Sequence, residues 1–449
     1  MIASGRVAYL TRRAPDYGVH VNGATAKGET PIAVDMKRVR QRKRDIVESF
    51  RSGSERKLKA AGVDCIMGEG SFADANSLDV KLSDGSGTKS VTADLIFINT
   101  GERPILPKLP GIESVPVLNS TTIMELDVVP SHLIVLGGGY IGLEFGQLFR
   151  RLGAAVTIIQ RGKQLLARED ADVAAEVLKI LEEDGITVLL QTSAAEVSKS
   201  SSGDDSIKVT VSGPKGTKTL TGSHLLAAAG RQPNSDMLNL EAAGIVSDPI
   251  HGFVKASPFL ETNVPRIYAL GDVKGPPAFT HISYDDARII QANLLESRTH
   301  KLSTTDRLVP YTVFMDPQLG HVGLHEHEAL AMGRKIKVAS MPMTWVARAL
   351  EVDETRGMMK AVVDATTDEI IGFTVLGLEG GEIMSTVQMA MQVFRNRPSQ
   401  VNHELIPNLG WTEMDGAEGH RVCAPDIGRE FEQSVGNSEG RRVKRTQQN

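Results

Sequence analysis

Cysteine is almost missing from this chain: its 449 residues include two, Cys65 and Cys423. Two distant thiols cannot build a disulfide framework, so a reducing compartment and a cytoplasmic location are expected. The net charge is −5, which removes the cationic surplus that a general polyanion binder needs. No apolar run reaches the length of about eighteen residues that a spanning helix needs, so no membrane partner is expected. The opening MIASGRVAYLTRR lacks the apolar centre of a secretion signal. What is present is the 41% hydrophobic and 23% charged balance of a folded chain. At roughly 150 residues per domain the length suggests about three.

The first sixty residues read as mainly helical, with a basic run from Lys37 to Lys59. Its apolar positions Val39, Ile46, Val47 and Phe50 fall near helical spacing, so a solvated helix face is expected over the alternative of a nucleic-acid patch. Short strands then follow, and Cys65 is expected to be a small buried hydrophobe at the first of them. From Pro130 the pattern becomes strand–helix–strand–helix, the signature of a parallel sheet. From Arg307 onward strands mix with one helix near Ile383 to Val393, which suggests an α+β unit. The polar last residues, 421–449, are expected to form a disordered tail.

The sharpest motif is Gly137-Gly138-Gly139-Tyr140-Ile141-Gly142. It closes an apolar strand and opens a helix, the context in which G-x-G-x-x-G binds a dinucleotide. Gly137 makes the tight turn, Gly139 lets backbone approach a pyrophosphate, and Gly142 permits helix–strand packing. The second strand of such a unit normally ends in a carboxylate that binds the ribose 2′-hydroxyl. Here Gln160 stands in that place and Arg161 follows. A carboxylate would repel a 2′-phosphate and this pair would not, so NADPH is favoured over NADH.

Three further segments complete a pattern. FINTGERP from Phe97, AGRQPN from Ala229 and TNVPRIYALGDV from Thr262 stand in that order, and VPYTVFMDPQLGHVGL follows from Val309. The chain resembles the flavoprotein disulfide reductases, the class I pyridine nucleotide-disulfide oxidoreductases, and is most similar to their mercuric reductase-like branch. The resemblance implies an α/β fold: two Rossmann-like nucleotide-binding domains, the FAD domain incomplete, plus an α+β dimerisation domain. Boundaries of 1–128 and 252–306 for FAD, 129–251 for NAD(P) and 307–420 for dimerisation are expected. It implies Tyr140 as a gate over the flavin and Glu144 beside flavin N5 as the catalytic pair. Gly137, Gly138, Gly139, Ile141, Gly142, Gln160, Arg161 and Gly230 would hold NAD(P). Gly70, Thr100, Gly101, Gly271 and Asp272 would hold FAD. No metal site is expected, and a homodimer is.

The sequence also departs from the family. The family opens with a further G-x-G-x-x-G unit for the FAD pyrophosphate, then a redox-active C-x4-C pair, and neither occurs here. Ile2–Tyr9 resembles the segment that follows that pair, so the chain reads as starting immediately after it. Cys65 and Cys423 lie too far apart to replace the pair. The family's C-terminal His-Pro-Thr…Glu segment, source of its acceptor histidine, is missing too; His403 and Glu413 stand in an unrelated setting. Impaired disulfide chemistry is therefore expected. The alternatives are a dihydrolipoyl dehydrogenase-like enzyme, against which Gln160 speaks, and a non-catalytic nucleotide-binding chain.

Overall fold

The computed structural model describes residues 1–20, 32–200, 206–296, 299–396, 411–415 and 421–425. These fall into two compact units, Met1–Ala167 with Leu181–Val309, and Arg168–Ile180 with Pro310 onward.

The larger unit is organised around a five-stranded parallel sheet. Its order across the sheet is Val117–Leu118, His224–Ala227, His132–Leu136, Ala155–Ile159 and Thr187–Leu189. Leu133, Ile134 and Val135 are each fully buried, as the continuous apolar run of a strand covered on both faces should be. The helix Tyr140–Leu152 follows the glycine turn and packs Leu143, Leu148 and Phe149 inward. Its exit is set by Gly153, whose φ of 116° ends the helix in the left-handed region. A three-stranded antiparallel sheet, Ser193–Lys199, Ile207–Gly213 and Gly216–Gly222, places Val197, Val209 and Val211 against Ile134 and Leu136.

A second core within this unit gathers Phe72, Ile96, Ile98, Val254, Ile267, Ala269 and Val273. Two strands from distant parts of the chain, Ile96–Ile98 and Ile267–Ala269, pair in parallel at its centre. The basic run forms one long helix, Met36–Ala60, with Met36 its single buried residue. Arg44 and Lys43 both reach Glu125, and Phe50 is 76% exposed. That is a solvated face.

Cys65 corrects the sequence reading: it is exposed and precedes the first strand, which begins at Gly68. The chain leaves the helix at Ala61 and stays on the surface until Gly68 pairs with Leu82, so the apolar thiol has no core to enter.

The smaller unit carries an antiparallel five-stranded sheet in the order Pro310–Val313, Gln318–Gly323, Ile370–Gly377, Met358–Asp364 and Ile336–Pro342. The helix Gly380–Asn396 follows the third of these in that order. Trp411–Asp415 pairs with Arg421–Pro425, so five residues assigned to a disordered tail form a strand. Residues 426–449 lie outside the described residues, as does His403. Among the described residues no helix is long and apolar enough to cross a membrane.

Candidate functional site

The surroundings of the glycine turn show why three of its four glycines take no side chain. Gly137 sits at φ 114°, and a Cβ there would strike the Ala228 carbonyl oxygen; one on Gly142 would strike the Gly137 carbonyl oxygen. Gly138 is closed in by Leu165 and Gln160. Gly139 differs, because nothing lies within 4 Å of where its Cβ would be. Its backbone is extended, at φ −88° and ψ −178°, and it caps the helix without a side chain. Packing accounts for three of the glycines and leaves the fourth facing open space at a helix N-terminus. First-turn N–H groups have no partners inside a helix, and they present a partial positive charge. The turn therefore fits a pyrophosphate.

A test follows from that geometry. Gly139→Ala should leave the thermal unfolding transition nearly unchanged, since the site has room and an ordinary φ. It should weaken dinucleotide binding by about 1.5–3 kcal/mol, roughly 10- to 150-fold, as backbone N–H contacts to the charged phosphates lengthen. Titration calorimetry beside a melting curve separates the two effects. Equal dinucleotide affinities would remove Gly139 from the site.

Gln160 follows the strand Ala155–Ile159 and is tied inward. Its Oε1 accepts from Gly138 N–H at 3.2 Å and its Nε2 donates to the Gln164 carbonyl at 3.0 Å. The side chain thus braces the glycine turn, a role that the sequence reading missed. Arg161 and Lys163 are exposed next to it.

The residues expected to hold FAD, Gly70 apart, follow two strands. Thr100 and Gly101 follow Ile96–Ile98, and Gly271 and Asp272 follow Ile267–Ala269. Both pairs therefore lie past the carboxyl ends of adjacent parallel strands, where α/β sheets bind ligands. Gly101 adopts φ 68° with nothing within 4 Å of a Cβ, so this position too fits close approach of a ligand. Asn234 knits the segments together: its backbone N–H donates to Gly101 O at 2.9 Å and its Nδ2 to Thr100 O at 2.8 Å. Gly271 is at φ 69° and its N–H donates to Asp286 Oδ2 at 2.8 Å. Asp286 is completely buried and also meets Lys274 at 3.2 Å and Arg307 at 2.7 Å. Burial, and then the Asp272 charge, push the Glu102 carboxyl up, with Arg231 opposing them. Neither Asp286 nor Glu102 was foreseen from sequence, since an acidic residue in a helix or short strand carries no motif.

Tyr140 opens the helix Tyr140–Leu152 and Phe279 caps the helix Thr280–Leu295; their rings lie 6.5 Å apart. Glu144 is one turn along the same helix and half-buried. Gly230, at φ 146°, joins the parallel sheet to the strand Arg231–Pro233, and Ile105 N–H donates to its carbonyl at 3.1 Å. Gly70 lies apart from these, in the strand Gly68–Phe72, paired with Val80.

The sequence reading missed one more group, in the smaller unit. Glu169, His321 and His325 are all buried, with potential ligand atoms within 4.8 Å of one another. The signal available was His321-Val322-Gly323-Leu324-His325, two histidines four apart.

The glycine turn, the paired strand ends and the antiparallel unit together define a two-nucleotide oxidoreductase class. The chain belongs to the pyridine nucleotide-disulphide oxidoreductases: it matches that family over residues 8–287 and the family's dimerisation domain over 309–407. Members of the family are oxidoreductases that use FAD and NAD(P)H. It is 36% identical over 360 residues to the probable pyridine nucleotide-disulfide oxidoreductase RclA of Escherichia coli (strain K12), covering 80% of this chain and 79% of that protein. Against a mercuric reductase of Lysinibacillus sphaericus the identity is 32% over 414 residues, 92% of this chain and 72% of that one. The solved structure of the HOCl-induced flavoprotein disulfide reductase RclA from Escherichia coli superposes with a TM-score of 0.72 at 32% identity, covering 88% of this chain and 94% of that one.

Proposed function

We propose that this chain is an FAD-dependent NAD(P)H oxidoreductase of the mercuric reductase-like branch whose disulfide-dependent half-reaction is impaired. The observation that carries the first part is the convergence of Gly139, Tyr140, Gly101 and Asp272 on the ends of parallel strands within one unit. FAD, when bound, supplies the hydride acceptor for the nicotinamide. The chain's own residues do the rest. The glycine turn and the helix N-terminus hold the pyrophosphate of NAD(P)H, Gln160 keeps that turn rigid, and Tyr140 gates the face where the nicotinamide enters. Glu144 would sit beside the reacting edge of the flavin. Thr100, Gly101 and Asp272 hold the flavin and its ribityl chain, with Gly70 towards the adenine.

In this reading residues 1–128 and 252–306 form the flavin domain, 129–251 the nicotinamide domain and 307–420 a dimerisation domain. The chain acts as a cytoplasmic homodimer. The impairment rests on cysteine chemistry: passing electrons to a disulfide needs a thiol pair against the flavin, and the chain holds two unrelated cysteines. A second reading, a nucleotide-binding chain without turnover, is favoured by the same count. Absorbance of the purified protein in the flavin bands separates them, because a colourless protein excludes the flavoenzyme.

Arg161 provides the coenzyme test. NADPH should bind more tightly than NADH, and Arg161→Ala should lower NADPH affinity by about 1.5–3 kcal/mol while leaving NADH unchanged. Calorimetry reads both. Equal losses for the two coenzymes would mean that Arg161 does not meet the 2′-phosphate.

A further inference from the structure

Within the smaller unit two histidines stand where a charge is hard to carry. His321, on the strand Gln318–Gly323, is 2% exposed, and His325, the residue before the helix Glu326–Ala331, is 5% exposed. Their rings stack with centroids 3.7 Å apart; Tyr311 lies 5.1 Å from the first and His327 5.4 Å from the second. The hydrogen bonds fit one proton per ring. His321 Nε2 meets the Gly323 carbonyl at 3.1 Å, an acceptor only, so Nε2 carries the proton and Nδ1 accepts from Thr374 Oγ1 at 2.8 Å. Tyr311 O–H donates to Glu169 Oε1 at 2.5 Å, which leaves its oxygen to accept from His325 Nε2 at 3.2 Å. A second proton on one ring would place a charge in a dry interior. A second proton on both would set two like charges face to face.

The charged groups around the pair are engaged with one another. Asp170 accepts from the backbone N–H of Glu326 at 3.1 Å and from His327 Nδ1 at 2.7 Å, and Lys360 stands 3.2 Å from it. Lys360, itself 3% exposed, also meets Asp172 at 2.8 Å and Glu326 at 2.6 Å. Glu328 accepts the backbone N–H of His325 at 3.0 Å. Glu169 Oε2 lies 3.9 Å from His325 Nδ1, further than a hydrogen bond reaches. Burial is the largest influence on both rings. It pushes His321 down to about 3, with the neighbouring His325 adding to the effect and the Gly323 carbonyl and Asp170 opposing it. It also lowers His325, against Glu328 and Asp170 and together with His327 and Lys360.

We propose that the stacked His321–His325 pair makes the smaller unit an acid-sensitive switch: it holds while both rings stay neutral, and it opens as mild acid offers each ring a proton that only the opened form takes. A histidine in the opened chain gains its proton near pH 6.5, and the buried pair resists it. Stability from the pair is therefore fully present above about pH 6.5 and is lost as the pH falls below that value. Each ring adds one proton to the difference between opened and closed forms. The opening constant should thus rise about tenfold per pH unit for one ring and about 100-fold for both. Asp170, held at about 2, acts in the same direction, but only below about pH 4, where an opened aspartate takes its proton. The interval from about pH 6 to about pH 5 isolates the histidines. The pair shares no residue with the glycine turn, so the switch stands whatever coenzyme the larger unit takes.

Trp345 and Trp411 are the two tryptophans of the chain, and both belong to the smaller unit, so tryptophan fluorescence follows that unit within the full-length protein. Urea unfolding in steps from about pH 7.5 to about pH 5 should give a flat midpoint above about pH 6.5. Below about pH 6 the opening constant should rise about 100-fold per pH unit. His321→Gln and His325→Gln each keep an amide N–H and C=O for the neighbouring partners but remove the titrating ring. Either one should cut the rise to about tenfold, and the double substitution should abolish it. Histidine Cε1–H resonances of the unmodified protein give a readout that requires no variant to fold: two rings should remain uncharged in the native state at about pH 5. An opening constant that stays flat down to about pH 5, a pH slope that survives both substitutions, or native titration of both rings near pH 6.5 overturns the proposal.

Discussion

Supplied with NADPH and either mercuric ion or oxidised lipoamide, the 449-residue chain is expected to turn over at background rate. Removing the nucleophile from a catalytic unit typically costs about 10⁴-fold or more, and here both members of the thiol pair are lacking. Cys65 is no substitute. It is exposed, among Ile66, Met67, Leu82, Ser83, Asp84 and Lys89, and none of these belongs to the glycine turn or the flavin-side strand ends. A quinone, which takes electrons without a thiol relay, should be reduced if FAD is retained. Cys65→Ala should leave that rate unchanged. An NADPH oxidation assay with the three acceptors decides the matter: robust turnover with lipoamide or mercuric ion would refute the impairment, and turnover lost in Cys65→Ala would name the thiol responsible.

Asp286→Ala should be among the most damaging single substitutions in the larger unit. The carboxylate is fully buried and serves Gly271 N–H, Lys274 and Arg307 together, with the two cations only 10% and 12% exposed. Removing it strands the nearly buried Lys274 and leaves Arg307 with Asp285 at 3.2 Å, at a cost of about 3–5 kcal/mol. It also frees Gly271 from its φ of 69°, so Asp272 should lose its position and flavin affinity should fall along with stability. Asp286→Asn keeps an oxygen for Gly271 N–H but not the charge, and it should fall between the two. Thermal unfolding followed with flavin fluorescence measures both losses. A melting point within a degree or two of the parent would show that Lys274 and Arg307 find other partners.

The glycine-turn unit was legible in the sequence because a strand, a glycine turn and a helix adjoin in the chain and Gly142 is closed in by Gly137 itself, although the steric demand on Gly137 comes from the distant Ala228 carbonyl. The second core was legible only in pieces. FINTG and YALGD are recognisable segments, yet their parallel pairing joins Ile96–Ile98 to Ile267–Ala269, and nothing local specifies a partner so far along the chain. Cys65 was misplaced for a related reason: a small apolar residue before a strand is buried only if the fold brings something to cover it.

By itself the sequence determined the class of fold, the family, the glycine turn between a strand and a helix, and the scarcity of cysteine, all of which reside in short-range pattern or in composition. The tertiary structure alone decided that Gln160 braces the glycine turn, that Asp286 carries the charge balance behind Gly271, and that Glu169 meets His321 and His325. Each of these depends on which distant side chains share a dry interior. There a proton, a charge or a lone pair must find its partner within a few ångströms, and spacing along the chain does not reveal which partner that will be.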